Sequence, residues 1–168
     1  MKKLGILLVL MFAVTMASSA FAQSKVAVID YPKCIRTSDA GKKANEEMKA
    51  LETTWGGRID AMRTEITKME NEFIAQEKVL TDSAKKTKID EIQKKRLDHD
   101  NTLRQFQGEA EKKNEELMKK IVGDLEKIVA DYAKEKKFDM ILHSQSVAFN
   151  NNIPDISDEI IARYNKQK

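Results

Sequence analysis

The strongest constraint on this chain is an apolar stripe that runs out along the sequence and then runs back. Ala44, Met48, Leu51, Trp55, Ile59, Met62, Ile66, Met69, Phe73 and Leu80 follow one another at steps of three and four, or their sum. Such spacing places them on one side of a helix and predicts packing against a second helix, as in a coiled coil. A returning stripe follows: Ile89, Ile92, Leu103, Phe106, Ala110, Leu117, Ile121, Leu125, Ile128 and Tyr132. Between the two, Thr81-Asp82-Ser83 is a run of helix-capping residues and marks a turn. The pattern predicts an antiparallel helical hairpin over 41–132 with its tip near 81–84. An arm of about 40 residues is on the order of 60 Å long at 1.5 Å per residue. Two helices that long have no globular core of their own, so the arm must be anchored.

Two irregularities stand out in the stripes. The step of four from Trp55 to Ile59 is a stutter, which locally unwinds a supercoil. It falls on Gly56-Gly57, and a glycine costs a helix about 1 kcal/mol. Folding the chain at residue 82 or 83 sets Gly57 level with Gly108, which predicts a hinge at Gly56, Gly57 and Gly108. The alternative, that these glycines admit close helix approach, stays equally open. Between Ile92 and Leu103 the expected seam positions hold Arg96 and His99, so the arm is weakly glued there.

The anchor lies at the two ends. Lys25-Val26-Ala27-Val28-Ile29-Asp30 reads as a strand closed by Tyr31-Pro32. Phe138 to His143 and Ser146 to Phe149 read as two more, and Asn150-Asn151-Asn152 as a loop. Ser157-Asp158-Glu159 opens a last helix, with Ser157 as cap and acids against the dipole. The fold class is therefore mainly α with a small β body, built from 23–40 and 133–168, in which Val26, Val28, Met140, Ile141, Leu142 and Phe149 carry the contacts. So few strands are marginal alone, which predicts oligomerisation through the sheet.

The first residues decide the compartment. Lys2 and Lys3, an apolar run from Leu4 to about Ala17, and Ala20-Phe21-Ala22 form a secretory signal peptide over 1–22. Its apolar run is short for a membrane span. Its removal leaves 28 basic residues against 27 acidic ones, which makes the exported chain nearly neutral. Interspersed charge of both signs describes a solvated surface and argues against a nucleic-acid partner. The single cysteine, Cys34, cannot form an internal disulfide; it reads as a small apolar filler or as a redox or intermolecular thiol. His99 and His143 are too isolated for a metal site. No Ser-His-Asp set, phosphate loop or carboxylate pair is legible, so neither an enzyme nor a cofactor is expected.

With these parts in place the sequence resembles the Skp/OmpH-like periplasmic chaperones. The likeness rests on the signal peptide, the Lys25–Asp30 run, Trp55-Gly56-Gly57-Arg58 in the first arm helix, and Phe138-Asp139-Met140-Ile141-Leu142. It continues through Ala148-Phe149 and Asp155-Ile156-Ser157-Asp158-Glu159-Ile160-Ile161, where Ser157 stands for the threonine of the family's D-I-T-x-x-V/I segment. The resemblance implies a trimer with a central β body and three tentacle-like arms around a cavity that holds unfolded outer-membrane β-barrel proteins. Family members are often strongly basic, and the near-neutral charge departs from that.

The arms supply the candidate contacts. Ile74, Val79 and Leu97 fall beside the seam and Phe106 lies next to its weak zone; Met62 and Met69, with Met48 and Met118, either line a deformable binding surface or fill the seam. Lys85, Lys86, Lys88, Lys94, Lys95 and Arg96 outnumber Asp90 and Glu91, forming an electrostatic tip for acidic clients, lipopolysaccharide or a membrane surface, or a plain solvated face. The expected function is ATP-independent holding of unfolded outer-membrane proteins in the periplasm. The alternative is a structural coiled-coil protein of the envelope.

Overall fold

A computed structural model describes residues 24–167, and the expected signal peptide at 1–22 lies outside the described residues. The chain enters as strand β1 (Val26–Ile29), continues as the short helix α1 (Tyr31–Thr37), and passes into α2 (Asp39–Gln76) and α3 (Asp82–Lys136). Strand β2 (Met140–His143), a 3-10 turn at Ser144–Ser146 and helix α4 (Ser157–Lys166) complete it.

Helix α1 has two turns, too few for a periodic stripe, so only its caps announce it. Asp30 accepts from Lys33 N at 2.9 Å, and Pro32 occupies the first turn, where its missing N–H costs nothing. Ser38 then ends α1 and caps α2, accepting from Gly41 N at 3.1 Å. The chain bends so tightly here that a Cβ on Gly41 would fall on the Ile35 carbonyl.

Helices α2 and α3 form the hairpin. Every expected outgoing seam position, from Ala44 to Leu80, is buried or half-buried. On the return only Ile89 is exposed. Trp55 faces Phe106 with ring centroids 6.1 Å apart, and Glu47 meets Lys113 at 2.7 Å. These pairs correct three expectations. The tip is the turn at residues 77–81, slightly earlier than 81–84, because Thr81 is the cap of α3, accepting from Ala84 N at 3.3 Å. Gly57 and Gly108 are not level: Gly57 lies tipward of Trp55, whereas Gly108 lies rootward of the facing Phe106. The third concerns the polar gap, where Lys95, His99 and Thr102 turn inward and Arg96 lies exposed on the flank. Thr102 is buried there and donates to the Asp98 carbonyl at 2.8 Å. Both helices run unbroken through Gly56, Gly57 and Gly108. None has a positive φ, and an added Cβ would meet nothing within 4 Å at any of them. Close helix approach is therefore not their reason.

At the root, β1 pairs in parallel with β2, Val26 opposite Met140 and Ile29 opposite His143. The other edge of β1 is taken by the chain before α4: Val28 N donates to Pro154 O at 2.9 Å and Ile156 N donates to Val28 O at 3.0 Å. This corrects the strand expected at Ser146 to Phe149. With β1 filled on both sides, that segment pairs with no strand among the described residues, and it runs as a 3-10 turn and loop. The expected cap role of Ser157 also changes. Ser157 is the first residue of α4, and its hydroxyl bridges the chain ends, accepting from Asp30 N at 2.8 Å and donating to Asp155 at 2.5 Å. Asp155 accepts Ser157 N at 2.8 Å and so satisfies the helix start instead.

The core sits beneath this sheet. Ala27, Ile29, Cys34, Ala44, Ile121, Leu125, Ile128, Tyr132, Ile156, Ile160 and Tyr164 form one buried cluster, so the root draws on α3 well before residue 133. Arg163 of α4 lies over Tyr132 and grips Glu135 with two bonds of 2.7 and 2.9 Å. Lys25 covers Phe138 and donates to the Lys136 carbonyl at 2.7 Å, closing the end of α3.

The glycines divide into two classes that urea unfolding separates. Gly57→Ala and Gly108→Ala should each raise stability by about 0.5–1 kcal/mol, whereas Gly41→Ala should lower it by about 1–3 kcal/mol through overpacking. Hydrogen bonds from Arg163, then Lys136, push the Glu135 carboxyl from 4.5 down to about 2. A depressed carboxylate contributes stability above its unfolded pKa and loses it as pH falls toward the folded one. The Tm difference between wild type and Glu135→Gln should thus be constant above about pH 5.5, shrink below pH 4.5 and vanish near pH 2.

Candidate functional site

Beyond the root, among the described residues, each arm helix packs only against its partner, so the site must be sought on the arm surfaces. The expected contact residues do not form one patch. Val79 (83% exposed, in the turn), Ile74 (68%) and Leu97 are open to solvent. Phe106 is half-buried against Trp55, over which Arg58 stacks at 5.6 Å. Met62 and Met69 are half-buried seam residues.

Near the tip, a groove of about 310 Å³ opens between the helices. Its floor is half-buried Phe73 and buried Ile92, its walls are Ile74 and Ile89, and Glu70 and Arg96 stand at its rim. Arg96 Nε and Nη2 both donate to Glu70 Oε1, at 3.0 and 2.7 Å. Spacing alone assigned Phe73 and Ile89 to the seam. The sole sequence signal for the groove is that apolar residues crowd both sides of a turn, where two helices have no further turn to cover them.

The basic stretch splits in two. Lys95 reaches Glu65 at 2.8 Å and Arg96 reaches Glu70, so two of the six cations tie α3 to α2. Lys85, Lys86, Lys88 and Lys94 have no carboxylate within 4 Å among the described residues, and they leave free positive charge at the tip.

At the other end, the outer edge of β2 has no strand partner among the described residues. Val28 is buried, Val26, Ile141 and Leu142 are half-buried, and Met140 is exposed. Phe149, 81% exposed, projects from the following loop. An unpaired edge beside exposed apolar side chains is a template for another strand.

A family model for outer membrane protein (OmpH-like) matches residues 25–164. The chain belongs to the OmpH-like family. It is 26% identical over 173 residues to a Skp-like protein of Pseudomonas aeruginosa, covering 99% of both chains. A Skp-like protein of Chlamydia pneumoniae is 25% identical over 160 residues, with 92% of each covered. The crystal structure of an OmpH-like protein from Caulobacter crescentus CB15, described as a candidate outer membrane chaperone, superposes with a TM-score of 0.76 at 16% identity over 86% of each chain. That likeness shows the fold.

The OmpH-like match over residues 25–164 takes in the segments on both sides of the arm, so it includes the Asp30–Ser157–Asp155 link that sequence reading missed. Cys34 lies under this link, fully buried, with Sγ 3.7 Å from the Ser157 carbonyl. Burial pushes its thiol up to about 11, against an opposing pull from the Ser157 bond. The thiolate is the reactive form, so Cys34 is a core filler. Among the described residues no helix is long and apolar enough to cross a membrane. Folded protein at pH 8 should leave a thiol reagent such as DTNB unconsumed for as long as it stays folded, and consume one equivalent per chain in urea. Rapid reaction of native protein would overturn the buried assignment.

Proposed function

We propose that this OmpH-like chain is an ATP-independent holdase chaperone of the periplasm that binds unfolded outer-membrane β-barrel proteins and catalyses no reaction. The observation that carries the reading is an arm of two unbroken helices, 38 and 55 residues long, that exposes apolar side chains near its tip and keeps its core at the root. Apolar surface without an intramolecular partner marks an interaction site. The names of the Skp-like relatives and of the Caulobacter crescentus structure support the same reading.

Assembly follows from the root. The bare β2 edge, Met140 and Phe149 are the surfaces through which chains join, and the trimer implied by the family resemblance would set several arms around one cavity. Many short-lived contacts then hold a client by avidity while each contact keeps exchanging. Enclosure keeps the client's unpaired strand edges from other chains. Gly56, Gly57 and Gly108 soften the arms at staggered heights, allowing the cavity to widen. Lys85, Lys86, Lys88 and Lys94 add screened attraction for acidic segments, or for lipopolysaccharide and anionic membrane surface. Release is passive and follows the client's folding into the outer membrane.

Light scattering tests this. A urea-unfolded outer-membrane β-barrel protein diluted into buffer with the mature chain should stay clear near one oligomer per client, without ATP. Undiminished scattering in the presence of folded, oligomeric protein would sink the holdase reading and leave a structural coiled-coil role.

A further inference from the structure

Independently of the holdase reading, we propose that the C-terminal segment from Pro154 to Lys166 is an acid-released latch: as the pH falls it undocks from the root as a unit, ahead of the arm, and uncovers the second edge of β1. The segment touches β1, α1, α2 and α3. Val28 exchanges two backbone bonds with Pro154 and Ile156, Asp30 N donates to Ser157, and Asp39 N donates to Asn165 at 2.9 Å. Ile156, Ile160 and Tyr164 are buried in the core cluster, and that burial keeps the latch shut at neutral pH. A helix of 10 residues is too short to persist alone, so once its ties fail the segment opens as one unit.

Most of the remaining ties end on carboxylates. Lys33 of α1 meets Asp158 at 2.7 Å, and Tyr164 donates to Asp124 of α3 at 3.3 Å. Asp155 holds Ser157 in place for Asp30, which itself caps Lys33 N. From α2 comes Asp39, whose carboxylate faces Lys42 at 3.7 Å. Glu135 of α3 stands between two cations, accepting both bonds from Arg163 and lying 3.2 Å from Lys136. Its neutralisation removes the attraction and leaves two like charges side by side.

Hydrogen bonds from Arg163, then Lys136, hold Glu135 down at about 2. At Asp155 burial works upward, and the bonds from Ser157 outweigh it, leaving the carboxyl below its ordinary value. Both groups are depressed in the closed state, so they favour closure above the ordinary carboxylate range and cease to do so as the pH falls toward their folded values. The arm has no such dependence at its seam, which is apolar from Ala44 to Leu80 and carries its ion pairs on the flanks. Release frees the Val28 N–H and C=O, and a strand edge with free groups accepts a strand from another chain.

Cys34 reports the opening, because it is fully buried with its Sγ 3.7 Å from the Ser157 carbonyl. The mature full-length chain is treated with 4,4′-dithiodipyridine, which reacts with thiols in acid as well as at neutral pH. Each rate is divided by that of the same chain in urea at the same pH, which removes the chemistry of the reagent. Protection should hold down to about pH 5.5 and fall at least about tenfold by about pH 3, while circular dichroism shows the arm still helical. Glu135→Gln/Asp158→Asn removes both ion pairs of the latch, and should lower protection at neutral pH about five-fold, the factor of two exposed pairs. It should also flatten the fall in acid. Asp60→Asn, which breaks the arm pair with Arg63, should leave protection as it is. Protection that stays constant down to about pH 3, or that falls only together with the helical signal of the arm, would overturn the proposal. So would a folded double variant as well protected as wild type; if that variant does not fold, the wild-type curve alone decides.

Discussion

Everything in this molecule hangs on the burial of one face of α3 near its root. Ile121, Leu125, Ile128 and Tyr132 lie in a single cluster with Ile29, Cys34, Ile156 and Ile160, contributed by chain segments more than a hundred residues apart. Full burial of such a side chain is worth about 1.5–3 kcal/mol, whereas exposed ion pairs along the arm contribute about 0–1 kcal/mol each. The root thus holds the arm, and the arm does not hold the root. The Asp30–Ser157–Asp155 bridge fastens the segments on either side of the hairpin to one another beside that cluster.

Away from the root the seam thins. Its midsection relies on Trp55 against Phe106, and further out Lys95 and His99 occupy inward positions. Lys95 extends to Glu65 at 2.8 Å, its aliphatic stem covering the seam as it goes. Glu47–Lys113, Glu65–Lys95 and Glu70–Arg96 all place the acid on α2 and the base on α3, which favours one register of the hairpin more than it stabilises the arm. Weak cohesion and exposed apolar groups at the tip are what a surface for transient capture requires, because a tightly covered seam would leave nothing to offer a client.

Much of the candidate site was legible from periodicity. The seam from Ala44 to Leu80 followed from spacing alone, since a helix has a fixed repeat and any stripe must face something. Ile74, Val79 and Leu97 were legible as exposed because they fall off that stripe. Arg96 and Ile89 were not: whether a residue at the margin of a stripe turns inward depends on how the facing helix is set against it, which spacing within one helix does not give. The glycine levels failed for the same reason, because a small shift of the tip moves every cross-arm pair by more than a turn.

Local chemistry, then, determined the elements: a strand of branched residues, two long amphipathic helices, a capped turn and a capped last helix. Those outcomes depend on neighbours within a few residues, and the sequence contains them directly. The tertiary structure alone decided which segment fills the second edge of β1, that Ser157 bridges two chain ends instead of capping a helix, and that Cys34 is sealed from solvent. It also decided that Phe73 and Ile89 frame a groove beside the Arg96–Glu70 pair. Each of these joins residues far apart in the chain, and their distance is fixed by packing at the root, which no local pattern encodes.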